Sequence, residues 1–292
     1  MERSPVAGLD GSKLSRQKTT SFLEGAEREI ASRVDTRDAD DAVGISLLFA
    51  GTERPDAAAI RTLAEAARGF SVSHDPGAAK PGLKANGARE PSDWVEVLAD
   101  GLTFDLSGLA PAIGHSLPER AYCFDMPPGF DGSGLEAISL TPGPHLSGGG
   151  RMMPVVRAMA GLAANLCALP GLVAVAWHPA RSWIGPRYFT SIIGNWLEGG
   201  VFPGLGLVGL ATVADGGMQS EGLSFFTGQE LRIEPELTED RAGAAKIAVR
   251  LIDRLIEHGR LETAETVTGP EGRQLRIEPS GNGRFVRVWS GS

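Results

Sequence analysis

The dipeptide Asp100-Gly101, set between Trp94–Leu98 and Leu102–Leu106, restricts the fold of this chain more than any other feature. Both residues tolerate a left-handed backbone, which a two-residue hairpin turn requires at its centre. In the second arm Leu102, Phe104 and Leu106 alternate with Thr103, Asp105 and Ser107, so one face of the strand is apolar and the other polar. An antiparallel sheet with one buried face is therefore expected. Upstream, Gly44–Ala50 is an apolar run of strand length. Between the two, Pro55 precedes a helical pattern in which Ile60, Leu63, Ala64 and Ala67 share a face and Gly69 marks the stop. Residues 72–92, rich in Gly, Pro and Lys, predict a loop.

The same logic carries the second half. Residues 108–150 hold many Pro and Gly and are expected to form an extended connection. Met152, Val155, Val156, Met159, Leu162, Ala163 and Leu166 recur at helical spacing up to Pro170, and Leu172–Trp177 follows as an apolar strand. Pro186 opens a helix with Phe189, Ile192, Ile193 and Trp196 on one face. Strands are expected at 205–213 and 223–234. A long helix then runs from Glu239 to His258, capped by Thr238, striped by Ala244, Ala248, Leu251, Ile252 and Leu255, and stopped by Gly259. Strands at 261–267, 273–278 and 284–289 complete the chain. These elements predict an α+β domain over 41–292. Two related strand-helix-strand-strand halves, about 41–110 and 150–292, would form a largely antiparallel sheet with helices packed on one face. Residues 1–40 are polar and patternless apart from Ser21-Phe22-Leu23-Glu24, a capping box ahead of Ile30 and Val34. They predict a flexible tail.

Charge excludes some functions. With 28 basic and 36 acidic side chains the net charge is -8, and a phosphate backbone would be repelled, so no nucleic-acid partner is expected. Cys123 and Cys167 lack the spacing of a disulfide framework or zinc site, which favours a reducing cytoplasm. Residues 1–20 lack the apolar core of a signal peptide. The charge-free run Met159–Trp177 is broken by Asn165 and Pro170-Gly171, so it predicts a buried helix turning into a strand, and no membrane partner.

Gly204-Leu205-Gly206-Leu207-Val208-Gly209 spells a dinucleotide fingerprint, but a helix precedes it and Asp215-Gly216-Gly217 follows too soon for another. Gly206 and Gly209 are better read as points of close packing. No nucleophile elbow or His-Glu-x-x-His helix occurs, and His74, His115, His145, His178 and His258 have no spacing that grips a metal. Neither cofactor nor metal is expected. His145–Arg151 is read as glycine-rich linkage in preference to an anion-binding nest. The most site-like cluster is Trp177, His178, Arg181 and Trp183, just past a buried strand, where two indoles, an imidazole and a guanidinium could line a pocket. Glu230 joins them as a candidate. With Leu231 and Ile233 pointing to the core, its carboxylate is placed either to accept N–H bonds from the adjacent glycine-rich turn or to pair with a neighbouring arginine.

The segments LCALPGLVAVAWHPARSWIGPRYF, GLSFFTGQELRIEP and LIEHGRLETAETVTGPEGRQLRIEP resemble domain of unknown function 4261, a mostly bacterial family, over about residues 160–290. Gly222, Leu223, Gly228, Glu230 and Leu231 occupy its middle segment, and Ala264 stands before Glu265-Thr266-Val267 where the family has glycine. The resemblance implies an α+β fold and assigns no activity. The expected function is therefore non-catalytic: binding an unknown protein or small ligand, with an accessory role such as toxin neutralisation in bacterial competition fitting that class. The alternative is a hydrolase using His178 with Glu230 or Asp215.

Overall fold

The Asp100-Gly101 turn closes with φ of 51° and 78°, as a tight hairpin demands, and joins β3 (Trp94–Ala99) to β4 (Leu102–Ser107) with Ala99 opposite Leu102. The computed structural model describes residues 43–78 and 93–291; the expected tail, its capping box and most of the 72–92 loop lie outside these. Val43–Ser292 forms one compact unit.

The first strand, β1 (Ile45–Ala50), is the apolar run that follows Gly44, and α1 (Ala57–Ala67) starts where Asp56 accepts the Ala59 N–H at 2.8 Å. Next come β2 (Ser71–His74), β5 (Tyr122–Phe124), β6 (Leu135–Pro142), α2 (Met153–Leu166), β7 (Leu172–Trp177), β8 (Ser182–Ile184) and α3 (Pro186–Leu197). Eight strands make one sheet in the order β2-β3-β4-β6-β1-β7-β8-β5, antiparallel except for the β5–β8 pair. Beyond them lie β9 (Gly209–Thr212), β10 (Met218–Glu221), α4 (Ser224–Thr227), β11 (Glu230–Ile233), α5 (Arg241–His258), β12 (Glu265–Thr268), β13 (Gln274–Pro279) and β14 (Phe285–Ser290). These strands make a second sheet, β12-β13-β14-β11-β10-β9, with β11 and β14 parallel.

One apolar core joins the two. Ile45, Leu47 and Phe49 of β1, Phe104 and Leu106 of β4, and Val156, Met159 and Leu162 of α2 belong to the same cluster as Leu231, Ile233, Leu251, Ile252 and Val288. Full burial of a Phe or Leu stabilises the fold by roughly 1.5–3 kcal/mol relative to exposure. On the opposite face of the large sheet a smaller cluster forms around Leu48, Ala137, Ala174, Ala176 and Trp183 under Met126 and Phe130.

The α+β class is as expected; the strand inventory differs in five places, the first being β2, whose residues 72–74 pair with β3 where the 72–92 loop was expected. The strands divide between two sheets, and β7 and β8 join the first. Residues 108–150 are not merely a connection: β6 lies inside the large sheet, its Ile138 and Leu140 in the core while Ser139 and Thr141 face the other way. Expected strand 205–213 begins only at Gly209, because Gly206 at φ 135° turns the chain at 204–207. Expected strand 223–234 is split by Gly228 at φ 75° into α4 and β11. Helix α5 is capped by Asp240, which accepts the Ala242 N–H at 3.0 Å, while the Thr238 hydroxyl donates to Pro235 O at 2.8 Å and Gly216 O at 2.7 Å. The charge-free run 159–177 resolves into α2 and β7. Among the described residues no helix is long and apolar enough to cross a membrane.

The glycine motif does pack closely. A Cβ on Gly206 would lie 2.8 Å from Ile192 of α3, and one on Gly209 would lie 2.3–2.5 Å from the Tyr122 ring. Gly209→Ala therefore forces Tyr122 aside and is expected to cost roughly 1–3 kcal/mol in urea unfolding. An unchanged unfolding midpoint would show that β5 gives way freely.

Candidate functional site

Strand β7 ends on Trp177, and a short turn, His178–Ala180, leads through Arg181 into β8. Strand alternation sends Trp177 into the main core, where its ring stacks on Phe226 at 6.0 Å and meets Phe225 edge-on at 5.3 Å. Its indole N–H donates to Leu207 O at 3.0 Å, so both the apolar body and the polar tip are satisfied internally. Trp183 lies on the other face of the sheet, 3 % exposed, against Phe130 and beneath the Arg120 guanidinium. Its indole N–H is buried without a hydrogen-bond partner among the described residues. The two tryptophans thus stand on opposite faces.

His178 sits over β1, its Nε2 2.9 Å from the Ser46 hydroxyl. Arg181 adopts a left-handed backbone, φ 49°, which turns its carbonyl to accept the N–H groups of Ala121 and Tyr122 and so fixes the parallel β5–β8 pair. Its guanidinium forks onto Glu221 at the end of β10 and also donates to Glu119. Bonding to Glu221 holds the Arg181 pKa above its ordinary value against the opposing effect of burial. Tyr122 shares the same carboxylate; its phenol is raised by burial first and then by Glu221. A bidentate, partly buried pair of this kind binds more strongly than an exposed ion pair.

Glu230 opens β11 and is buried. Oε1 accepts the N–H of Gly222 at 2.9 Å and of Ser224 at 3.0 Å; Oε2 accepts Leu223 N–H at 3.2 Å and the Ser220 hydroxyl. Three of the four donors are the backbone amides of the turn into α4. Burial pushes the carboxyl above its ordinary range, and the donors from Ser220, Ser224 and Gly222 pull it back. Gly222 is required there: at φ 93°, its Cβ would meet Ala180 at 2.8 Å.

Arg181 and Glu230 are brought together across residues 220–222, with Ala180 against Gly222. His178 faces Ser46 instead. Three surface hollows of about 460, 250 and 280 Å3 are lined by other residues: α5 with β12, residues 236–247 with 270–273, and α1 with β2. Sequence reading overlooked Ser46, Glu119, Tyr122, Ser220 and Glu221. Each acquires its role through a partner distant in the chain or in a turn, so no local pattern marks it. Asp215 pairs with Arg232, which also reaches Glu234 at 3.4 Å. Residues 144–149 form a short 3-10 turn that brings His145 to Thr103. Cys123 is exposed and Cys167 half-buried, both free, and burial pushes the Cys167 thiol up to about 11. Among the described residues no group of three His, Cys, Asp or Glu could hold a metal ion.

Fold and site together define a two-sheet α+β protein in which the buried Glu230 carboxylate serves its own backbone. No protein-family model matches the chain, and neither does any curated protein or solved structure.

Glu230→Ala leaves four donors without their acceptor, three of them backbone amides, and is expected to destabilise the protein by roughly 1–3 kcal/mol, read as a lower Tm. A Tm equal to that of the parent would mean that water replaces the carboxylate at no cost.

Proposed function

We propose that this protein is non-catalytic and acts by binding another molecule. One observation carries the reading: the three groups named for a hydrolase, His178, Glu230 and Asp215, are each engaged within the fold. Both Glu230 oxygens accept protein donors, Asp215 is paired with Arg232, and His178 bonds the Ser46 hydroxyl, which is itself only 4 % exposed. A general base must reach a proton on substrate or water, and a carboxylate wrapped by backbone amides offers no lone pair for that work. Membership of domain of unknown function 4261, cytoplasmic residence and an accessory role such as toxin neutralisation in bacterial competition belong to the same proposal. They rest on the resemblance of the 160–290 segments and on the composition of the chain.

Purified full-length protein offered ester, phosphoester, peptide and glycoside substrates is expected to show no turnover that depends on His178 or Glu230. Hydrolysis abolished by His178→Ala or Glu230→Gln, with the thermal melt of the variant unchanged, would establish the hydrolase instead. Native mass spectrometry is expected to give the mass of the bare chain; a stoichiometric nucleotide, flavin or zinc ion would overturn the packing role given to the glycine motif.

A further inference from the structure

Strand β12 is the outer strand of the second sheet, hydrogen-bonded to β13 along one side only. The ladder fixes which of its backbone groups face outward. Gln274 O accepts the Gly291 N–H at 2.8 Å, so the backbone of Gln274 points to β14 and away from β12. Its ladder partner Thr268 therefore exchanges no hydrogen bonds with it. By the alternation of antiparallel pairs, the N–H and C=O of Thr268 and of Thr266 point out of the sheet. The Gly269 N–H, donated inward to Arg273 O at 2.7 Å, has the complementary phase. Both threonines are exposed, and among the described residues nothing takes these outward backbone groups. Such an edge is a template for a further strand. Of the usual guards β12 has only its length of 4 residues; it contains no lysine or proline and pairs without a bulge.

Beside this edge lies the hollow of about 460 Å3, walled by β12 and by the face of α5 that carries Arg250, Asp253, Arg254, Glu257 and His258. Helix and strand run in opposite directions: Arg254 reaches Glu265 at 2.9 Å, while Gly243, Lys246 and Ile247 border residues 270–273. At about 1.5 Å per residue in a helix and about 3.3 Å in a strand, Arg250 stands level with Val267. Glu265 and Val267 turn toward α5, one by its ion pair and the other by packing on the core, so Thr266 and Thr268 turn away. A strand laid along β12 repeats that alternation. Its residues opposite Glu265 and Val267 enter the hollow.

Chemistry narrows the occupant. Outward N–H and C=O groups in strand register call for another extended backbone. Most charges in the hollow are already engaged. Arg254 is held by Glu265, Asp253 Oδ1 accepts the Phe202 N–H at 3.1 Å, and His258 Nδ1 lies 2.9 Å from Arg254 O and 3.9 Å from Glu257. Arg250 is exposed and has no hydrogen bond or ion pair among the described residues. A carboxylate opposite Val267 answers it, and Leu251 and Val267 offer apolar wall to aliphatic neighbours. A second copy of this chain, paired through its own β12, would turn only Glu265 and Val267 inward, and that Glu265 is committed to its own Arg254.

We propose that the open edge of β12 docks an extended segment of a partner protein, added as one more strand to the 6-stranded sheet, with a carboxylate side chain directed at Arg250. The proposal rests on the non-catalytic binding reading and adds the class of partner.

The probe is a peptide of about seven residues in which threonines alternate with valine, a central glutamate and valine, so that the glutamate and valines share one face. Titrated into the isotope-labelled full chain, it is expected to bind with a Kd of about 1 mM or tighter and to slow amide exchange at Thr266 and Thr268. The same peptide with a central lysine should bind about threefold more weakly. Thr268→Pro removes an outward N–H and leaves the ladder to β13 intact, so it should weaken binding about tenfold with the melt unchanged. Arg250→Glu should reverse the preference, taking the lysine peptide over the glutamate peptide. If Thr268→Pro lowers the melt, that reversal decides alone. Absence of binding by either peptide would overturn the proposal, as would binding indifferent to both variants. A dimer of this chain that Thr268→Pro dissolves, with no peptide bound, would assign the edge to a second copy and overturn it equally. Cleavage of the bound peptide would leave this site standing and contradict the non-catalytic reading.

Discussion

A single buried carboxylate holds the joint on which the two sheets depend. Glu230 gathers the amides of Gly222, Leu223 and Ser224 and the Ser220 hydroxyl, and Ser220 in turn accepts the Leu231 N–H at 2.7 Å. Without that acceptor the turn between β10 and α4 would bury backbone donors with nothing to satisfy them. With it, Gly222 can press against Ala180, and Glu221 is aimed at the Arg181 guanidinium. The loop after β7 is thus positioned from the second sheet, although its residues belong to the first.

This arrangement sorts the side chains by face. Alternation along β7 and β8 commits Trp177 and Ile184 to the shared core and Trp183 to the small cluster behind it. The Arg181 fork, the Tyr122 phenol and Glu119 complete a network at the edge where β5 joins β8. What is left of the large sheet's second face is mostly polar, with Trp94 and the exposed Leu98 on β3. Its histidines reach it from three different connections, which local helix or strand periodicity alone would not produce.

Much of the fold is legible in the sequence, because periodicity is a local signal. The Asp100-Gly101 hairpin, β7, α2, α3 and α5 lie within a residue or two of their expected limits. Strand β6 was hidden because Pro and Gly surround an otherwise regular alternation of Ile138 and Leu140 with Ser139 and Thr141. Gly206 and Gly228 were the opposite case: apolar runs read as continuous strands, while a positive φ at one glycine breaks each. At the candidate site the sequence left Glu230 either backbone amides or a neighbouring arginine as partner, and the amides of Gly222, Leu223 and Ser224, six to eight residues away, take it. Arg181 with Glu221 and His178 with Ser46 are separated by 40 and 132 residues, and only tertiary pairing reveals them.

Amide hydrogen exchange at Gly222, Leu223 and Ser224 tests the joint most directly. If Glu230 organises it, these three amides exchange slowly in the parent and rapidly in Glu230→Gln, whose side chain keeps one acceptor oxygen. Protection should fall in the same variant at Tyr122 N–H, which is held by the Arg181 carbonyl on the other sheet. Equal protection of the turn amides in parent and variant would contradict the account, because the carboxylate would then be a bystander to the fold.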